Sequence, residues 1–480
     1  MTDAGQAEGL PAQLSAFDLL MHRGEANPRM RSGILSVEIL EITPPWDRFV
    51  STFDIASRRA LRLRQKVVVP LVPTAAPRWI VDPDFSLAYH VRRVRCPEPG
   101  TLREVLDLAE VSLQSPLDIS RPLWTVTLVE GLTGGQSAVL LHVSHAVTDG
   151  IGSVELFSAL YDLEPKPAVR EAPALPLPQD LSAVELAREG LSQLPGAIIG
   201  GLRAAVFSAT HVVVRAARDP MSAANDIAEY ARSATRVIAP GAAPSPLLAR
   251  RSLSTRSEAV DVGLAELRAA AKAVGGSIND AYLAGLCGAL YRYHEALGVP
   301  VERLPMAVPV NVRADADPAG GNRFAGINLA APVGAVEPRA RIHDIQDQMR
   351  RGRKESAIGM MAFVAPVLSL LPMPVLESMI ESITASDVQA SNVPMHTAQT
   401  YLAGAKVLRQ YGLGPLPGVA MMAVLVSRAR SCTVTVRYDQ ASVTDEALFA
   451  QCLLEGFNEV LTLSGDAAAR TVPASFNVPR

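Results

Sequence analysis

The chain has 480 residues, 49% of them hydrophobic, and carries 45 Lys plus Arg against 48 Asp plus Glu for a formal net charge of −3. That balance, without basic tracts interleaved with aromatics, argues against nucleic acid as a partner, and the apolar content supports a large core in a chain long enough for two domains. Four cysteines, Cys96, Cys287, Cys432 and Cys452, lack CxxC spacing, which argues against a disulfide framework and a structural zinc and implies a reducing, cytoplasmic setting.

In chain order, residues 1–9 are polar and acidic and lack the layout of a signal peptide, so no export is expected. A first α/β segment occupies 1–164. Within it Trp124 to Val129 alternates and is β-branched, Gly131 to Gly135 supplies a turn, and Ser137 to Val143 is a nearly all-apolar return strand, which together read as a β-hairpin. The return strand ends in His142-Val143-Ser144-His145-Ala146-Val147-Thr148-Asp149-Gly150. Past Gly150, the positions Ile151, Val154, Leu156, Leu160 and Leu163 fit an amphipathic helix starting near Ser153, so His145 sits in a strand-to-helix crossover.

An imidazole titrates near pH 6.5 and can take a proton from a hydroxyl and return it to a leaving group. No Gly-x-Ser-x-Gly elbow occurs in the chain and no cysteine pairs with the motif, so a covalent acyl-enzyme is unsupported. Direct attack by a bound acceptor on a bound acyl donor fits better, with His145 as general base and Asp149 four residues on. A metal held by His142, His145 and Asp149 is disfavoured, because residues three apart on a strand point to opposite faces.

Residues 165–246 read as a linker and helical connector. Glu164-Pro165-Lys166-Pro167 through Leu175-Pro176-Leu177-Pro178 is proline-dense, helical patterns cover much of 181–237, and Ala239 to Pro246 forms a second loop. Leu194 to Arg218 combines apolar bulk with terminal arginines, suiting either an anionic lipid surface or an interdomain helix. The uncharged run Ser356 to Leu376 is long enough to span a bilayer, but Pro366, Pro372 and Pro374 break it, so a buried or interfacial helix is expected.

The second half, 247–480, restarts the α/β alternation. Arg256 to Val262 reads as a strand, Leu264 to Val274 as a helix, and Ser277 and Asp280 are spaced as a capping box opening another helix. On that helix Ala281, Ala284, Gly285, Gly288 and Ala289 permit close backbone approach or leave room for a slender ligand. Met306 to Arg313 ends a strand in polar groups, Gly321 to Phe324 begins another, Met421 to Val426 and Thr433 to Asp439 read as antiparallel strands, and Thr444 starts a helix reaching about Leu463.

Several segments, in order, resemble the bacterial wax ester synthase/diacylglycerol acyltransferase family, a branch of the coenzyme A-dependent acyltransferase superfamily that includes chloramphenicol acetyltransferase and condensation domains. They are Leu14-Ser15-Ala16-Phe17-Asp18, Pro77 to Phe85, Tyr89 to Arg93, Ser120 to Trp124, His145-x-x-x-Asp149-Gly150, Ile278-Asn279-Asp280, Val308 to Arg313, Gly321-Asn322-Arg323, Ser391-Asn392-Val393-Pro394 and Tyr401 to Ala405. The resemblance covers nearly the whole chain.

It implies an α/β (α+β) fold of two chloramphenicol-acetyltransferase-like domains, each a mixed sheet flanked by helices, with an active-site tunnel at their interface. It implies an O-acyltransferase that moves a long-chain acyl group from acyl-CoA, a co-substrate, to diacylglycerol or a fatty alcohol, with no bound cofactor or metal. The acceptor is a lipid or alcohol, so peripheral contact with a membrane or lipid droplet is compatible. In this logic His145 deprotonates the acceptor, Asp149 turns away and holds the loop through Arg313, and Ser144, Gly150, Asn279 and Asp280 support the site. Trp124, Asn311, Ser391 and Asn392 lie along the tunnel.

Two departures stand out. Ser144 replaces the histidine that usually precedes the base, a residue that tends to be structural, and Met395-His396 replaces the Gly-Pro that usually follows Asn-Val-Pro. Two alternatives remain open: a condensation-like enzyme acting on another hydroxyl or amine, and a non-catalytic lipid-binding member.

Overall fold

A computed structural model of the chain describes residues 12–72, 74–147, 158–167, 171–192, 241–311, 324–355, 386–465 and 472–473, with 365, 368–369, 371, 373 and 375–376. Two seven-stranded mixed sheets, each flanked by helices, dominate the described residues. In the first lobe α1 (Ala16–Gly24) leads into β1 (Gly33–Leu40), α2 (Trp46–Arg59), the ribbon β2 (Gln65–Val68) and β3 (Arg78–Val81), then α3 (Leu87–His90), β4 (Val91–Arg95) and α4 (Leu102–Gln114). The sequence-predicted hairpin forms as β5 (Trp124–Glu130) and β6 (Ser137–Ser144), followed by the short β7 (Tyr161–Asp162).

These strands are apolar on both faces because both faces are covered. Phe49, Phe53 and Ala56 of α2 pack with Val126, Val139, Leu141 and Val143 on one side. Val105, Leu106, Ala109 and Leu113 of α4 pack with Leu35, Val37, Ile39 and Leu140 on the other. At about 25 cal/mol per Å² of apolar surface removed from water, this double burial is the main favourable term for the sheet.

The second lobe contains β8 (Thr255–Gly263), α5 (Leu264–Ala273), α6 (Ile278–Ala296), β9 (Arg303–Asn311), β10 (Phe324–Pro332), α7 (Pro338–Arg353), β11 (Val388–Pro394), β14 (Met421–Arg428), β15 (Ser431–Asp439), α8 (Glu446–Leu461) and β16 (Val472–Pro473). Its sheet runs β10-β9-β11-β14-β15-β8-β16. The two intervening strands, β12 (Tyr401–Leu402) and β13 (Ala405–Leu413), leave this lobe and join the first sheet, whose order is β4-β5-β6-β1-β13-β12-β7. The first sheet is therefore completed by residues 401–413 of the second half, a long-range pairing that the linear division of the sequence did not include. Arg437 on β15 and Glu110 on α4, paired at 3.0 Å, further tie the lobes, and the Tyr411 hydroxyl donates to Asp261 at 3.2 Å.

The small residues of α6 serve packing and not a ligand. Phe457 of α8 lies where a Cβ on Gly285 would be, and a Cβ on Gly456 would stand 2.4 Å from the Ala289 nitrogen and 2.5 Å from the Gly285 carbonyl oxygen. The helix predicted after Ser153 does not continue through Leu160 and Leu163: Ser158–Leu160 forms a single 3-10 turn and the chain then enters β7, where Tyr161 and Leu402 pair across strands. Its first part, to residue 157, lies outside the described residues, as do the stretch 194–218, most of 356–376 and residues 312–323. No helix among the described residues is long and apolar enough to cross a membrane.

Two measurements follow from this packing. Gly456→Ala forces the α6–α8 backbones apart and should cost about 1–3 kcal/mol, lowering the thermal midpoint by several degrees; an unchanged midpoint would contradict the contact. Burial holds His22 and His90 down at about 4 and His142 at about 3. Between those values and about 6.5 the unfolded chain binds protons that the folded chain does not, so stability falls with pH below about 6.5 by about 1.4 kcal/mol per unit for each histidine. Between pH 7 and pH 5 the thermal midpoint of the parent chain should therefore fall relative to that of His142→Gln.

Candidate active site

The chemistry-bearing end of β6 is fixed by its pairing with β1. Gly33 faces Ser144 in register, Ile34 faces Val143 and Leu35 faces His142. Past Ser144 the chain turns. The Ser144 N–H donates to the Leu123 carbonyl at 3.0 Å, the His145 N–H to the Ser32 carbonyl at 3.1 Å, and the Val147 N–H to the Ser144 carbonyl at 3.0 Å. His145 is half-buried on this turn, between enclosed neighbours Ser144 and Ala146.

Of the two histidines of the motif, His142 lies within β6 and His145 on the turn past its end. His142 is buried toward α4, with Nδ1 3.4 Å from the Ser112 hydroxyl and Nε2 close against Gly33. Desolvation alone would keep it neutral, and the positive charge of Arg437 adds to that effect. Among the described residues, no three His, Cys, Asp or Glu side chains are grouped to hold a metal.

Ser144 is fully enclosed, and its hydroxyl donates to Glu25 Oε1 at 2.5 Å while accepting the Ala146 N–H at 3.2 Å. Glu25, which the sequence reading did not single out, also accepts from the Ser32 hydroxyl at 3.2 Å, and burial pushes its carboxyl above the usual range. Nothing local marks it: an acidic residue at the end of an amphipathic helix reads as solvated surface.

The remaining predicted residues divide. Asn279 and Asn392 come together from α6 and β11, with Asn392 Nδ2 donating to Asn279 Oδ1 at 3.5 Å; Ser391, partly buried, precedes Asn392 on the same strand. Asp280 is the helix cap, its Oδ2 accepting both the N–H and the hydroxyl of Ser277 at 2.8 Å, so this carboxylate is already engaged. Trp124 is core and not tunnel wall: it is 1% exposed, its Nε1 donates to the Leu63 carbonyl at 2.7 Å, and His90 stacks on it at 4.6 Å. Its indole is consumed by lobe packing because β5 is covered on both faces. Asn311 ends β9, its side chain outside the description, and Asp149, Gly150 and Arg313 lie outside the described residues.

At the departure after Pro394, Met395 packs with Met422, Val424 and Val426 of β14. His396 meets Tyr161 edge-on at 4.8 Å between ring centroids.

A cavity of about 610 Å³ opens at the seam of the lobes, lined by Arg29, Arg31 and Gly33 on one side and Arg251, Asp387 and Arg437 on the other. Gly33 is the cross-strand neighbour of Ser144, so the cavity reaches the strand ends that carry the His145 turn, although His145 itself is not part of its lining. Burial pushes Asp387 up to about 6. The walls of this seam cavity carry arginines together with Asp387 and Asp439.

The wax ester synthase/diacylglycerol acyltransferase catalytic domain matches residues 8–282, and the WS/DGAT C-terminal domain matches residues 320–460. The chain is 62% identical over 477 residues to a Mycobacterium tuberculosis H37Rv protein named "Putative diacyglycerol O-acyltransferase", spanning 99% of this chain and 97% of that one. It is 31% identical over 356 residues to a second protein of that strain and name, spanning 71% and 72%. In structure it is similar to the wax ester synthase/diacylglycerol acyltransferase of Marinobacter aquaeolei VT8, with TM-score 0.61, 20% identity, and 94% and 100% of the two chains covered. The first condensation domain of the CDA synthetase gives TM-score 0.57 at 14% identity over 97% and 98%. At these identities the structural likeness concerns the fold.

Because position 144 is enclosed and its hydroxyl bridges Glu25 and the Ala146 N–H, Ser144→His should lower the thermal midpoint and turnover together. A gain of tenfold or more would mean that this side chain takes part in the reaction.

Proposed function

We propose, from the premise that this chain belongs to the wax ester synthase/diacylglycerol acyltransferase family and is an acyl-CoA-dependent acyltransferase, that it esterifies diacylglycerol or a fatty alcohol with a long-chain acyl group, with His145 as general base. The observation that supports this reading is that His145 stands on a turn whose amides are held at the paired ends of β1 and β6, and that Gly33 of this β1 end lines the seam cavity.

The chemistry balances without a covalent enzyme intermediate. A nitrogen of the His145 imidazole takes the proton of the acceptor hydroxyl as its oxygen attacks the thioester carbon. The tetrahedral oxyanion then collapses, the carbon–sulfur bond breaks, and the imidazolium returns its proton to the departing thiolate, releasing ester and free coenzyme A. Holding both substrates in one seam makes this step effectively unimolecular. Arg29, Arg31 and Arg251 would face the phosphates of the acyl donor. Asp149 would hold the turn through Arg313, and the Asn279–Asn392 pair would fix the opposite wall. An acceptor dissolved in lipid would bring a cytoplasmic protein against a membrane or droplet surface.

Free thiol release from acyl-CoA, followed with diacylglycerol, fatty alcohols and amines as acceptors, tests the assignment; a preference for amines would favour the condensation-like reading. His145→Ala should cut turnover by about 10²–10⁴ with the thermal midpoint unchanged, and full activity in that variant would end this mechanism. Asp149→Asn should lower both turnover and thermal midpoint, since it removes a holding charge.

A further inference from the structure

Glu25 occupies a place where an ionised carboxylate is expensive. It is the C-cap of α1, where the helix dipole is negative, and it is 2% exposed. Acidic groups are favoured at the opposite end of helices. Its side chain is held there by two hydroxyls, from Ser32 and Ser144.

Both of those serines hold the backbone of the His145 turn. Ser32 offers its carbonyl to the His145 N–H, and Ser144 offers its hydroxyl oxygen to the Ala146 N–H. Oε1 of Glu25 therefore bridges the start of β1 and the end of β6, and the amides on either side of the His145 Cα hang from the two residues it bridges. On the same loop, the Glu25 carbonyl accepts from Arg31 Nε at 3.2 Å, and Arg31 lines the seam cavity.

We infer that Glu25 is a positioning residue for the reaction, fixing the His145 imidazole through Ser144 and Ser32 without touching substrate. The inference rests on the reading of His145 as the base. It also gives Ser144 a definite task in place of the histidine usual at that position: its hydroxyl donates to the carboxylate and accepts from the turn at once. A misplacement of about 1 Å at a reacting group can cost on the order of 10²-fold in rate, so a clamp on two amides next to the base bears directly on turnover.

The test separates positioning from packing. Glu25→Met keeps the volume and removes the acceptor; Glu25→Gln keeps the oxygen; Ser144→Ala removes only the hydroxyl. Turnover should fall by about tenfold or more in Glu25→Met with the KM for acyl-CoA within about twofold, recover to within about threefold in Glu25→Gln, and fall no further in Glu25→Met/Ser144→Ala than in Glu25→Met. Hydrogen exchange at the amides of His145 and Ala146 should rise about tenfold in Glu25→Met and Ser144→Ala. Unchanged exchange at these amides overturns the inference, whatever the kinetics. So does full turnover in Glu25→Met beside an inactive His145→Ala. A fully active His145→Ala instead ends the reading of the base, and exchange alone then decides whether Glu25 holds the turn.

Discussion

Everything near the site depends on β1 being paired on both sides: with β6, which ends in the His145 turn, and with β13, which arrives from the other lobe. A one-residue slip on either side would turn each side chain to the wrong face. The register is held by a buried polar group. Glu38 faces Gln410 across the β1–β13 pair, accepts from the Tyr161 hydroxyl and from Gln410 Nε2, and burial pushes its carboxyl upward. A slipped alignment would break these bonds, and a buried polar group left unmatched costs about 1–3 kcal/mol. Apolar burial makes the sheet stable; Glu38 adds a term that depends on register.

The same strand explains how the lobes form one site. β14 presents Met421, Ala423 and Leu425 to the core of its own lobe and Met422, Val424 and Val426 to the opposite face. A Cβ on Gly412 of β13 would come within 2.9 Å of Val424, so the glycine lets the crossing strand lie close to its own lobe's sheet while it hydrogen-bonds to β1. The seam cavity opens beside this junction, lined by groups from both lobes.

Much of this was legible in residue patterns. The β5–β6 hairpin follows from alternation and a glycine-rich turn, the strand–strand–helix run at 421–461 from apolar periodicity, and the Ser277–Asp280 cap from spacing alone. The motif around His145 located the strand end, with His142 inside β6 and His145 just past it. Three features were not legible. β13 has the pattern of any buried strand, and nothing local says that its partner lies hundreds of residues earlier. Trp124 resembled a wall residue because aromatics serve cores and cavities equally well, and only the hydrogen bond to Leu63 and the stack on His90 decide. Glu25 and Asp387 become significant only when tertiary structure buries them.

The route of β13 also governs how the protein comes into being. During synthesis β1, β5 and β6 leave the ribosome long before residues 405–413 exist, and at about 5–20 residues per second the wait is on the order of tens of seconds. Throughout it the first sheet has an open, apolar edge at β1, the kind of edge that recruits other chains. The nascent lobe is thus exposed to aggregation until its own distant segment arrives, and a fragment ending between the two halves keeps that edge open for good.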